Sequence, residues 1–136
     1  LVSKRIWEKV NGFSEEFNPG VASDPDFNMK LWVNGIRIFK GINDFKVYHF
    51  ASTVIKKLNV PSNYKMNLKS KGSKTFLLKW GISIKFFKKF YLKTNSKYRG
   101  PLPKPEKNLA FLSSFLLCKV HYFYIKLFYN SLYSKN

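Results

Sequence analysis

Apolar and polar positions alternate with two different periods along this 136-residue chain. Over residues 3–10, Ile6 and Val10 stand four apart on one helical face. Ser3 lies ahead of them and Asn11-Gly12 behind, the latter tolerant of positive φ, so a short helix is predicted there. Residues 13–22, with the turn-forming Asn18-Pro19-Gly20, read as a loop. In the next stretch, SDPDFNMKLWVNG, Phe27 and Leu31 share a face and Asn34-Gly35 supplies a stop. Ser23 can cap, Pro25 suits the first turn and Asp26 completes a capping-box pattern, which predicts a helix starting at about Asp24. Residues 36–39 and 45–48, separated by the turn-like 41–44, read as two short strands.

Beyond residue 50 the pattern changes. Residues 56–74 are polar, lack apolar periodicity and contain Pro61 and Gly72, so a loop is expected. Residues 74–80 and 83–92 read as helices, and 99–107, with Pro101, Pro103 and Pro105, as an extended connector. Residues 108–133 are strongly apolar and aromatic but carry Lys119, His121 and Lys126. Those groups argue against a simple membrane span and for an interfacial helix, or one packed on further protein. The pattern divides the chain into 1–58, a basic helical extension with its Pro-rich connector at 59–107, and an aromatic helix at 108–136.

Charge sharpens this division. Residues 1–50 hold seven Lys or Arg and six acids, whereas residues 51–136 hold eighteen Lys or Arg and one acid, Glu106. A field of net +17 over the second part attracts anions such as acidic headgroups, phosphorylated substrates or nucleic acid. Part of the lysine excess follows a Lys-, Asn-, Phe-, Ile- and Tyr-rich composition of the kind AT-rich coding produces. The basic residues follow no recognised nucleic-acid-binding pattern, so nucleic acid is an unfavoured partner. Hydrophobic residues make up 45%, enough for a packed core, and one cysteine, Cys118, rules out an internal disulfide. The chain opens without Met and reads as part of a longer protein.

Candidate chemistry is sparse. No glycine-rich phosphate loop, Ser/His/Asp arrangement or zinc spacing occurs. Asp24 and Asp26 flank Pro25 at the expected helix start. Carboxylates there are stabilised by the helix dipole, and the same placement can present a general base or a cation ligand to a cleft. His49 closes the second expected strand, where a histidine is either structural or a metal ligand, and His121 reads as structural or interfacial.

The order VNGFSEEFNPG, SDPDFNMKLWVNGIRIFKG, VYHF and GSKTFLLKWGISIKFFKKFYLKTNSKYRGPL resembles the C-terminal half of a family 2 glycosyltransferase domain of the GT-A fold. The likeness covers residues 1 to about 103, with Ser23 where that family commonly has Glu in its Glu-Asp-x-Asp motif. It implies an α/β, Rossmann-like architecture followed by a mostly helical basic extension. It also implies inverting transfer of a sugar from a nucleotide-sugar donor to a glycan or lipid-linked acceptor. Asp24 matches the base, Asp26, Lys30 and Trp32 fall among substrate-binding positions, and His49 matches a metal ligand. The cofactor implied is Mg²⁺ or Mn²⁺, most of whose ligands would precede Leu1 together with the nucleotide-binding half. The location implied is cytoplasmic, with peripheral attachment at the inner face of the plasma membrane. The competing expectation is a non-catalytic basic module that binds anionic membrane or nucleic acid.

Overall fold

The computed structural model describes residues 2–18, 20–40 and 62–133, and within the last stretch the side chains from 70 to 128. Helix α1 is Lys4–Lys9, capped by Ser3, whose hydroxyl accepts from the Ile6 amide at 3.4 Å. It ends where Asn11 and Gly12 adopt φ of 56° and 50°. A 3₁₀ turn, Glu15–Phe17, interrupts the expected loop and drops Phe17 into the core. Helix α2 is Ser23–Val33. Ala22, at φ 73°, occupies the capping position, while the Ser23 hydroxyl donates back to the Gly20 carbonyl at 2.7 Å. Ser23 therefore braces the entry turn instead of capping the helix.

Helix α3 is Ser62–Trp80, and this overturns the loop expected over residues 62–74. Packing decides the matter. Phe76 and Leu77 anchor its second half in the core, and at Gly72 a Cβ would collide with the backbone of Val21. Glycine, a breaker by propensity, is here what lets the entry loop of α2 cross α3. Ser83, whose hydroxyl accepts from the Phe86 amide at 3.1 Å, caps α4, Ile84–Phe86, which widens into a π-helical turn, Phe87–Tyr91. The widening turns Phe86, Phe87, Phe90 and Tyr91 toward the core. An extended connector then leads to α5, Leu109–Tyr133, where the Asn108 side chain accepts from the Phe111 amide at 2.9 Å.

The described residues are mostly helical and contain no strand, so the α/β, Rossmann-like expectation is contradicted. Residues 36–39 show why. The Ile36 amide is spent on the Leu31 carbonyl closing α2, and the Arg37 carbonyl accepts one bond, from the Leu102 amide at 2.9 Å. One hydrogen bond from a connector does not make a ladder. Residues 45–48, the other expected strand, lie outside the described residues. Among the described residues burial is concentrated in one cluster: Phe17, Met29 and Trp32 meet Phe76, Leu77, Phe86 and Phe87, and α5 closes it with Phe111, Cys118 and Ile125. Each aromatic buried there contributes about 1.5–3 kcal/mol. A smaller cluster of Val10, Phe27 and Leu31 joins α1 to α2.

Candidate functional site

The two aspartates of α2 have opposite fates. Asp26 is fully buried and its carboxylate is saturated with donors. Ser14 donates its hydroxyl at 2.7 Å, Trp80 its indole N–H at 2.8 Å, and the Lys79 ammonium lies 3.0 Å away. Lys79 in turn contacts Glu16 at 2.6 Å and donates to the Ser14 hydroxyl at 2.9 Å. The network ties the 3₁₀ turn, the start of α2 and the end of α3 together. Desolvation opposes the charge on Lys79, but the hydrogen bonds it donates to Glu16 and Asp26 and their charges outweigh it, so its pKa sits above the usual lysine value. The hydrogen bond from Lys79 is the main reason that the Glu16 carboxyl is held below its ordinary value.

Asp24, one residue before Pro25 in the same first turn, is exposed and makes no side-chain hydrogen bond or ion pair with the described residues. The clamp at Asp26 thus holds rigid a helix end that presents a second carboxylate to solvent. Lys30 turns the other way, donating from its ammonium to the Gly12 carbonyl at 3.0 Å and so tying α2 to the end of α1. Trp32 is buried, with the Arg37 guanidinium 3.7 Å from its ring centroid and Tyr91 edge-on at 5.2 Å. Burial raises the Tyr91 pKa, although the Arg37 charge pulls the other way. His49 lies outside the described residues.

Asp24 and Asp26 do not converge on one cation position. Asp26 spends its lone pairs on three donors, and no cluster of three or more His, Cys, Asp or Glu occurs among the described residues. The described residues therefore do not fit a divalent-metal site.

Along α2, Asn28 follows Asp24 by one turn and lines a cavity of about 680 Å³. Phe27, Leu31, Phe39, Leu92 and Leu102 contribute apolar surface to it, and Lys40, Lys93, Lys97 and Tyr98 the polar groups. Local sequence reasoning pointed to neither the Asp26 clamp nor this cavity. Trp80 is 54 residues from its carboxylate, and the lysines are gathered from two distant segments.

Helix α5 has two faces. Phe111, Phe115, Cys118, Tyr122 and Ile125, at alternating spacings of four and three, pack inward. The opposite face leaves Leu109, Leu116, Val120, Phe123 and Leu127 exposed, each by 59–83%. Lys119 and Lys126 border the packed stripe, their ammonium groups 5.8 and 5.9 Å from the Tyr122 ring centroid. The segment Leu109–Phe128 is, by length and composition, long and apolar enough to cross a membrane.

No protein-family model, curated protein or solved structure matches this chain.

Proposed function

We propose that this chain takes part in inverting glycosyl transfer, carrying a sugar from a nucleotide-sugar donor to a glycan or lipid-linked acceptor. The observation that carries the reading is the division of labour on α2: Asp26 is buried and clamped, while Asp24, on the same turn, is exposed and pairs with none of the described residues. A general base needs such a setting, because its efficiency rests on fixed position and on lone pairs not already spent. The ordered motifs around it, which resemble those of family 2 glycosyltransferases, support the same role. In the step proposed, Asp24 takes the acceptor hydroxyl proton as that oxygen bonds to the anomeric carbon. The nucleoside diphosphate leaves with the electrons of the broken bond. The donor site, His49 and any Mg²⁺ or Mn²⁺ bound with it belong to parts of the protein outside the described residues.

The test is Asp24→Asn in the full-length protein, assayed for nucleoside diphosphate release against a panel of uridine and guanosine diphosphate sugars. Turnover should fall by about 10²–10⁴-fold, the usual contribution of a general base. Donor binding and thermal stability should be unchanged. Retained turnover removes Asp24 as the base.

A second observation bears on location and on the non-catalytic alternative. The exposed face of α5 is apolar over its length, and its other face is packed on α3 and α4. Spanning a bilayer would drag the lysines of those helices into hydrocarbon, at about 2.5–3.5 kcal/mol each at mid-depth. Lying in the interface avoids that cost and sets Lys119 and Lys126 near headgroups. We read the protein as cytoplasmic and peripheral at the inner, anionic face of the plasma membrane. If Asp24 proves dispensable, membrane binding of this kind remains as its function.

A further inference from the structure

A second cavity, of about 360 Å³, opens where α3, the start of α4 and α5 meet. Its floor is apolar, from Leu77, Ile84 and Ile125. Its rim is polar, with Ser70, Ser73 and Lys74 from α3, Ser83 and Lys85 from the start of α4, and His121 from α5. No carboxylate stands among the described lining residues. Neither Lys85 nor His121 is in an ion pair with a described residue. Ser83 has a donor to spare. Its hydroxyl oxygen accepts from the Phe86 amide at 3.1 Å and from the Cys118 thiol at 3.6 Å, which leaves its own O–H unspent among the described residues. The same two bonds fix Ser83 between α4 and α5.

The place of His121 on α5 decides what can reach this rim. Cys118 and Ile125, three before it and four after it, are buried, whereas Leu117 and Tyr124, four before it and three after it, are exposed. His121 therefore stands on the border between the packed face and the exposed apolar face. Lys119, two residues back and so about 200° around the helix, stands on the other border. With the exposed face in a bilayer interface, both borders fall at headgroup depth, and the rim beside His121 falls with them. Ammonium groups and hydroxyls are suited to phosphate oxygens, and the apolar floor to the glycerol below them. At about 360 Å³ the cavity is near the lower end of small-ligand sites, so it takes a headgroup and its glycerol and leaves the chains outside.

We propose that this cavity seats the phosphate headgroup of an anionic phospholipid from the bilayer on which α5 lies. The phosphate sits among Lys85, His121 and the Ser83 hydroxyl, the glycerol lies on the apolar floor, and the chains leave past Leu117 and Tyr124 into the interface. A seated headgroup fixes the protein in one orientation on the membrane, which a diffuse basic field does not. The bilayer as source rests on the reading of α5 as an interfacial helix; the phosphate class rests on the cavity alone.

The experiment is calorimetry on the full-length protein with dihexanoyl phosphatidic acid, a short-chain lipid used below its micellar range. Glycerol 3-phosphate, with the phosphate and no chains, and dihexanoyl phosphatidylcholine, with the same chains and a phosphate covered by its own cation, are the comparators. The phosphatidic acid should bind with one-to-one stoichiometry and more tightly than either. Lys85→Gln/His121→Gln, at two exposed positions, should weaken it roughly tenfold or more, the scale of a lost charged hydrogen bond. Lys89→Gln/Lys126→Gln removes at least as much charge from exposed positions outside the cavity and should change little. Unchanged affinity in Lys85→Gln/His121→Gln, equal losses in both double variants, or either comparator binding as tightly as phosphatidic acid would each overturn the proposal. Leu116→Glu/Val120→Glu should lose sedimentation with anionic vesicles yet still bind the short-chain lipid. Failure of the membrane reading would therefore show in sedimentation and failure of this headgroup site in calorimetry.

Discussion

At the scale of single residues, Asp26 determines how α2 is held, and its position in a sealed network has measurable consequences. Asp26→Ala strips an acceptor from Trp80 and a counter-ion from Lys79. Removing one partner of a buried pair costs about 3–5 kcal/mol, and the partial exposure of Lys79 puts the loss near the lower figure, about 3 kcal/mol. Urea denaturation measures it; a loss like that of an exposed aspartate would mean that the clamp is not formed. The ion pair also gives stability a pH signature. Glu16 titrates below its ordinary 4.5 in the folded chain, so its contribution is present above that value and is lost as pH falls through the folded pKa. Lys79 titrates above its ordinary 10.5, so its contribution is complete below that value and is lost as pH rises through the folded pKa. Lys79→Met should flatten both flanks of the stability profile, and unaltered flanks would refute the assignment.

At the scale of elements, α3 shows packing overruling propensity. Its first half is mostly polar and Gly72 falls just past its middle, yet the helix runs through from Ser62 to Trp80 because its second half is locked into the core. Gly72→Ala is a decisive probe. In a solvent-facing helix the change would stabilise by about 1 kcal/mol. Here the new methyl meets the backbone of Val21, so the variant should instead lose about 1–3 kcal/mol, as overpacked sites do. A rise in Tm would mean that the entry loop of α2 does not cross α3 at this point.

At the scale of the whole molecule, charge and hydrophobic surface act together. In the membrane attachment proposed above, the net charge of +18 would supply long-range attraction to an anionic bilayer, and the exposed apolar face of α5 the area that enters it. Vesicles containing anionic lipid should sediment the full-length protein, and zwitterionic vesicles should do so far less. Binding should weaken as salt rises, because screening shortens to about 8 Å at physiological ionic strength. Leu116→Glu/Val120→Glu on the free face should abolish binding while helix content by circular dichroism is kept. Undiminished binding by this variant would show that α5 is not the membrane-facing element.

Much of this architecture is encoded locally and was legible in the chain. The Asn11-Gly12 stop ends α1, and Asn34-Gly35 ends α2. The three-and-four spacing of apolar residues places α5, and the segregation of lysines past residue 50 needs no fold at all. These features rest on interactions among neighbours within a turn or two, which the order of residues specifies directly. Which aspartate is buried was not legible, because Asp24 and Asp26 are equivalent until Ser14, Lys79 and Trp80 arrive from elsewhere. Nor was the fate of residues 36–39, whose alternation would suit a strand but whose backbone finds one connector amide instead of a partner strand. The cavity of Lys40, Lys93 and Lys97 belongs to the same class. Burial, pairing and the gathering of like charges around a cavity depend on residues remote in sequence, and only the tertiary structure brings them within reach.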